Sequence, residues 1–247
     1  MKDQYVGDIG DYGKYGLLRY LNGCGLKIGV NWYLTPGDGR TDGNHTEYLE
    51  YRQMRGYDAD LFDAMKKLAF RRDKGVSLVE QSGMLEGVRF YSSMMDFDSL
   101  DWRERAEARD RWHKDALSVL EDAELVFADP DNGLSSTQKP TKKGAQKFIL
   151  PGEIIDYFHR GQQVFYYQHR PRKGYDGWMK DKSQIKSSLP EACLLAVSFN
   201  RWSCRTYIFV VHEDKYDQYR RLIDGFLASP WGRFTVNGKP AFIKEPV

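Results

Sequence analysis

Long apolar runs are missing from this 247-residue chain: no stretch of about 18 apolar residues occurs and mean hydropathy is -0.65, so no membrane-spanning helix is expected. Cysteine is scarce. Cys24, Cys193 and Cys204 are odd in number and lack CxxC spacing, which argues against a disulfide framework or a cysteine-rich zinc site and predicts reduced thiols. The five histidines, His45, His113, His159, His169 and His212, make no HxxxH or HExxH pair, so no metal site is expected, and His45 reads as a surface residue. There is no GxSxG nucleophile elbow, no Walker loop and no GxGxxG dinucleotide turn, which leaves serine-hydrolase chemistry and the common phosphate cradles without support. Behind Lys2 the opening Met1-Lys2-Asp3-Gln4-Tyr5 carries no apolar stretch, so no secretory signal is read and a cytoplasmic location is expected.

What is present is core material. Hydrophobic residues make up 41% and aromatics 14%, enough to bury a real interior and to exclude disorder. The length fits one domain over residues 1–247, with no linker or repeat. Strand-like runs rich in β-branched and aromatic residues occur at Ile28–Leu34, Val88–Ser92, Leu125–Ala128, Val164–Gln168, Cys193–Phe199 and Tyr207–Val211. Helical spacing of apolar residues occurs at Tyr15–Leu21, Ala59–Phe70, Trp102–Leu120, Glu153–His159 and Tyr216–Leu227. The alternation predicts an α/β fold, a three-layer α/β/α sandwich around a mainly parallel sheet, with the last strands as an antiparallel edge. In such sheets ligands bind beyond the carboxyl ends of the strands, so those turns are the ones to inspect.

Charge is unevenly spread. Residues 1–132 carry 18 basic against 25 acidic side chains, whereas residues 133–186 carry 11 against 4. The basic segment holds Lys139, Lys142, Lys143 and Lys147, then His169, Arg170, Arg172 and Lys173 beside Tyr166, Tyr167 and Tyr175. Basic side chains interleaved with aromatics suit a polyanion with stackable bases, which makes DNA the expected partner, although a lysine-rich run also occurs as a plain solvated loop. Oligomeric state is not legible.

Three turns are candidates for chemistry. The strand Leu125–Ala128 runs into Asp129-Pro130-Asp131-Asn132-Gly133. A carboxylate at the tip of a buried strand is desolvated, which suits Asp129 to activate water, while Asp131 and Asn132 offer a second carboxylate and an amide that both donates and accepts. Asp-Pro with Asn-Gly is also ordinary turn chemistry. The chain's first turn, Gly7 to Gly16, places Asp8, Asp11, Tyr12, Lys14 and Tyr15 ahead of a helix at Leu17, where they are expected to bind substrate: a helix start attracts phosphate, and acids there also serve as caps. The third, Thr35-Pro36-Gly37-Asp38-Gly39-Arg40-Thr41-Asp42-Gly43, is a glycine-rich turn after an early strand, with Asp38 and Arg40 as candidate binding residues.

The turn at Asp129 resembles the water-activating motif of the uracil-DNA glycosylase superfamily, a strand ending in Asp-Pro-aromatic-His-Gly. Asp129, Pro130 and Gly133 match; Asp131 and Asn132 stand where that family has the aromatic and the histidine. There the aromatic walls off the base's 5-position, so Asp131 implies a pocket open to a bulky or hydroxylated substituent. The resemblance implies a cofactor-free DNA glycosylase that flips out a modified pyrimidine, such as glucosylated hydroxymethylcytosine, and hydrolyses its N-glycosidic bond, with a role in antiviral defence. In place of the family's second loop stands Asn200-Arg201-Trp202-Ser203, where Arg201 or Trp202 would fill the gap left by the base. The layout is also similar to Rossmann-like methyltransferases acting on adenine N6 in nucleic acid. That similarity implies S-adenosylmethionine at Thr35–Gly39 and catalysis from Asp129-Pro130, which begins the position of an Asp-Pro-Pro-Tyr motif. A third reading keeps nucleic-acid binding without catalysis.

Overall fold

The computed structural model describes residues 1–39, 44–135, 137–169 and 183–246. Its frame is a mixed seven-stranded sheet. Four neighbouring strands are parallel: β2 (Arg89–Tyr91), β1 (Ile28–Asn31), β3 (Leu125–Ala128) and β4 (Gln163–His169). Against β4 lies antiparallel β6 (Ser203–Val211), then β5 (Cys193–Arg201), then the edge strand Phe242–Glu245, each antiparallel to its neighbour. The antiparallel share is therefore larger than the sequence suggests.

Side-chain alternation splits the sheet's two faces into two cores. Val30, Leu125, Phe127 and Phe165 point into one, shared with the helices α1 (Ile9–Gly23) and α2 (Ala59–Ala69) and the late helix Tyr216–Ala228. Val126, Ala128, Val164 and Tyr166 point into the other, shared with α4 (Trp102–Val119) and α5 (Pro151–His159); the short α3 (Val76–Gln81) precedes β2. Local chemistry explains most ends. Asp101 and Glu104 form a capping box on α4, Asp58 caps α2 through the Leu61 amide, and Pro151 occupies the first turn of α5. β1 stops short of the expected Leu34 because Tyr33 adopts a left-handed φ of 46°. Among the described residues no helix is long and apolar enough to cross a membrane.

The largest correction concerns α1. The sequence suggests an open glycine turn through Gly16, but the helix begins at Ile9, and its glycines serve packing. A Cβ on Gly10, Gly13 or Gly16 would run into Arg205, Phe199 or Trp231 respectively. With no side chains at these positions the helix lies close against the sheet end and the aromatic core. Tyr12 and Tyr15, expected to bind substrate, are consequently buried in the core. The Tyr12 hydroxyl donates to the Met54 and Asp58 carbonyls, and its ring contacts Tyr48, Phe62 and Trp231, while Tyr15 packs edge-on to Trp32.

The lysine-bearing loop after β3 is pinned from behind. Two buried arginines of α4 reach into it: Arg105 donates to the Thr141 carbonyl at 2.7 Å, and Arg109 to those of Ala145 and Phe148 at 2.8 and 2.7 Å. Arg109 is itself held by Glu153 at 2.7 Å. Burial pushes the Glu153 carboxyl up, but the Arg109 charge, the hydrogen bonds from Arg109 and the Leu150 amide, and nearby His113 together outweigh it and leave the group below its ordinary range.

Candidate active site

In the strand order, the chain leaves β1 for β2 on one side and returns to β3 on the other, so the topological switch point lies between the carboxyl ends of β1 and β3. An open α/β sheet has its ligand crevice at such a point. Here a cavity of about 510 Å³ opens there, within the size range of small-molecule sites. It is lined by the turn Asp129–Asn132, by Asp8, Asp11 and Lys14 of α1, by Asp38 after β1, by Lys147, and by Tyr167, His169, Arg205 and Tyr207 of the antiparallel half.

The floor is a buried charge network. Lys14 Nζ lies 2.6 Å from Asp129 Oδ2 and 2.7 Å from Asp11 Oδ1, over the faces of Tyr15 and Trp32. Burial works against the Lys14 charge, yet Asp11 and Asp129 hold its pKa above the ordinary lysine value. Asp129 is 5% exposed. Desolvation is the largest influence on its carboxyl and moves it above the ordinary range in spite of Lys14. Asp8 caps α1 through the Asp11 amide at 2.8 Å and accepts from Arg205 Nη2 at 3.1 Å. Burial and then the nearby Asp11 charge push Asp8 up to about 6, with Arg205 opposing.

Two residues beyond Asp129 the electrostatics reverse. Asp131 receives the Met1 amino group at 2.8 Å, the Thr35 hydroxyl at 3.1 Å and Lys2 at 3.8 Å. Burial raises this carboxyl too, but the Met1 and Lys2 charges and the Thr35 hydrogen bond outweigh it, and its pKa lies below the ordinary value. The Met1 amino group also donates to the Tyr33 and Asp129 carbonyls, each at 3.0 Å, tying the ends of β1 and β3. Asn132 is exposed at the mouth; its backbone amide donates to the Lys147 carbonyl at 2.9 Å. Gly133, at φ 88°, leaves room for Gln168, whose Oε1 accepts from the Leu134 amide at 2.8 Å. The turn is thus fastened to β4.

The three expected catalytic residues therefore share one cavity with Asp8, Asp11, Lys14 and Asp38. Asp38 is already engaged by Lys2 at 2.6 Å and by Gln4 at 3.0 Å. Of the basic set, Lys147 and His169 line the cavity, and Lys139, Lys142 and Lys143 are exposed away from its lining. Arg40, Arg170, Arg172 and Lys173 lie outside the described residues. The hairpin Asn200–Ser203 divides. Arg201 is buried and structural, donating to the Tyr57 hydroxyl and to the Lys239 and Pro240 carbonyls, so it is unavailable as a wedge. Half-buried Asn200 donates from its backbone to the Ala241 carbonyl. Trp202, at φ 57°, is 49% exposed beside Tyr51.

The sequence reading missed Lys2, Tyr5, Arg205 and Tyr207, which line the cavity; Tyr167, read there only as an aromatic beside the basic segment, lines it too. Arg205 had a signal, a lone charge within the β-prone run Ser203–Val211.

No family model matches the chain, and no curated protein matches it. Among solved structures, the crystal structure of protein LPL1258 from Legionella pneumophila str. Philadelphia 1, of family DUF519, is similar over 99% of this chain and 97% of that one, at 10% identity and a TM-score of 0.45.

Proposed function

We propose that the protein is a cofactor-free hydrolase that takes a flipped-out, 5-substituted pyrimidine nucleotide of DNA into the switch-point cavity and cleaves its N-glycosidic bond. The architecture is read as a three-layer α/β/α sandwich with the site at its sheet's carboxyl edge. One observation carries the proposal: Asp129, desolvated and shifted upward, lines a cavity of about 510 Å³ while Lys14 takes only its Oδ2. Oδ1 then accepts a proton from water as the water attacks the sugar carbon, and Lys14 holds the carboxylate in place. Asp131 is pinned as an anion, so it serves as a fixed acceptor for a hydroxylated substituent, with Asn132 beside it at the mouth. Lys147 at the cavity, and Lys139, Lys142 and Lys143 on the pinned loop, supply positive charge for phosphates, with the His169 ring beside them as a hydrogen-bonding group.

The test is release of base. Oligonucleotides carrying 5-hydroxymethylcytosine, its glucosylated form or uracil are incubated with the protein and assayed for alkali-labile abasic sites. The expected outcome is cleavage at the first two, lost by a factor of at least ~100 in Asp129→Asn, the usual scale for a positioned general base. Absence of abasic sites from all three sinks the proposal.

Methyl transfer is a second reading, favoured by the meeting of the Thr35–Gly39 turn with the Asp129 turn through the hydrogen bond from Thr35 to Asp131. Against it, the Asp38 carboxylate that would face S-adenosylmethionine is occupied by Lys2 and Gln4 of the same chain. Saturable binding of S-adenosylmethionine, measured by calorimetry, would reverse the order of the two readings.

A further inference from the structure

The reaction proposed above needs a second group. When the bond between the sugar carbon and the base nitrogen breaks, its electron pair moves into the pyrimidine and concentrates on the O2 carbonyl oxygen. A donor fixed at that oxygen stabilises the departing anion far more than a mobile one, because no reorganisation accompanies charge development. The histidine that the glycosylase resemblance would place two residues after Pro130 is Asn132 here, exposed at the mouth. The cations of the floor are mostly spent. Lys14 Nζ is shared among Asp11, Asp129 and the Met1 sulfur, and Lys2 is held by Asp38 and Asp131.

Arg205 differs from these. Its Nη2 is fixed by Asp8 at 3.1 Å, while its Nη1 is buried with no hydrogen-bond partner among the described residues, although the side chain lines the cavity. A buried donor left unpaired costs roughly 1–3 kcal/mol, so a structure that retains one beside a ligand-sized space is arranged to receive an acceptor. The guanidinium fits here because Gly10 has no side chain; a Cβ there would overlap it. It stands on β6 opposite His169 of β4, with Tyr167 and Tyr207 of the same two strands also lining the cavity.

We infer that Arg205 is the catalytic group that takes up the negative charge of the leaving base, donating from Nη1 to the pyrimidine O2, with Asp8 as the positioning residue that holds the guanidinium. The inference rests on the hydrolase reading. In the balanced step, water oxygen bonds to the sugar carbon and passes one proton to Asp129 while the carbon–nitrogen bond breaks. The base departs as an anion stabilised at Arg205 and gains a proton on release.

A pair of bases matched in size but not in leaving ability tests this. 5-Formylcytosine forms a more stable anion than 5-hydroxymethylcytosine because the formyl group withdraws electrons. Single-turnover release is measured from oligonucleotides carrying each, with wild type, Arg205→Ala and Arg205→Lys. A lost anion stabiliser should slow the hydroxymethyl substrate by about 100- to 1,000-fold, and the formyl substrate at least about tenfold less, with Arg205→Lys in between. Equal slowing of both substrates overturns the assignment and makes Arg205 a brace for α1. Failure of the wild type to release either base overturns the hydrolase reading and this inference with it. If Arg205→Ala does not fold, Arg205→Ala with Asp8→Asn removes both charges together, and the same ratio of losses decides.

Discussion

The floor and the rim of the cavity are built on opposite principles. On the floor, Asp11, Lys14 and Asp129 are buried and mutually bonded, drawn from α1 and from a turn more than a hundred residues away. At the rim Asn132 is exposed, and on the loop beyond the lining so are Lys139, Lys142 and Lys143. Charges in the floor depend on one another, since each has surrendered its water; charges at the rim are close to independent. The contrast between Asp129 and Asp131 is the same lesson at short range: each feels burial and two cations, but deeper burial and the Asp11 charge carry Asp129 up, while the Met1 amino group, Lys2 and the Thr35 hydroxyl carry the shallower Asp131 down.

Removing the shared cation breaks the floor most severely. Lys14→Met should destabilise the protein by about 3–5 kcal/mol at pH 7, the scale for an abandoned buried charge. Urea unfolding should show the deficit shrinking toward pH 5, as Asp129, whose carboxyl already lies above its ordinary range, takes up a proton. A deficit that is small and independent of pH would mean the floor is not a coupled unit.

Asp8 gives a medium effect with a definite sign. Its folded pKa, about 6, lies above the ordinary 3.8, so the folded state binds the proton more tightly than the unfolded state does. Stability from this group is fully present below pH 3.8 and is lost as pH rises through about 6. At 1.36 kcal/mol per unit the loss is on the order of 3 kcal/mol. Asp8→Asn keeps a capping side chain and should flatten that window in unfolding titrations; an unchanged slope between pH 4 and about 7 would remove Asp8 from the network.

The rim should respond least. Lys142→Glu with Lys143→Glu should change stability by less than ~0.5 kcal/mol, as exposed substitutions do. If these lysines touch phosphate, the slope of log affinity for DNA against log salt should fall by about 2. An unaltered slope would place the polyanion track elsewhere.

How much of this was legible depends on the range of the forces. β3 was placed at Leu125–Ala128 from its apolar run, and Asp129 at its tip, because strand burial and turn chemistry are local. Asp8, Asp11 and Lys14 were expected near the site, but for a glycine loop rather than a helix. The reason that Gly10, Gly13 and Gly16 carry no side chain lies in Arg205, Phe199 and Trp231, which are remote in sequence. Tyr12 and Tyr15 misled for the same reason: a tyrosine reads alike whether it stacks on a ligand or fills a core. Arg201 reads as available because the Tyr57 hydroxyl and the two backbone carbonyls that hold it are remote in sequence. Arg205 drew no notice because its meaning comes from Asp8, 197 positions away.

The fastening of the Asp129 turn has a bearing on selectivity. Gln168 grips the Leu134 amide, Gly133 accepts from the Ile149 amide, and the Lys147 carbonyl holds the Asn132 amide, so this wall is braced in place before any guest arrives. A braced wall measures its guest by shape: a ligand of the wrong outline is refused at entry, and discrimination should surface as weaker occupancy.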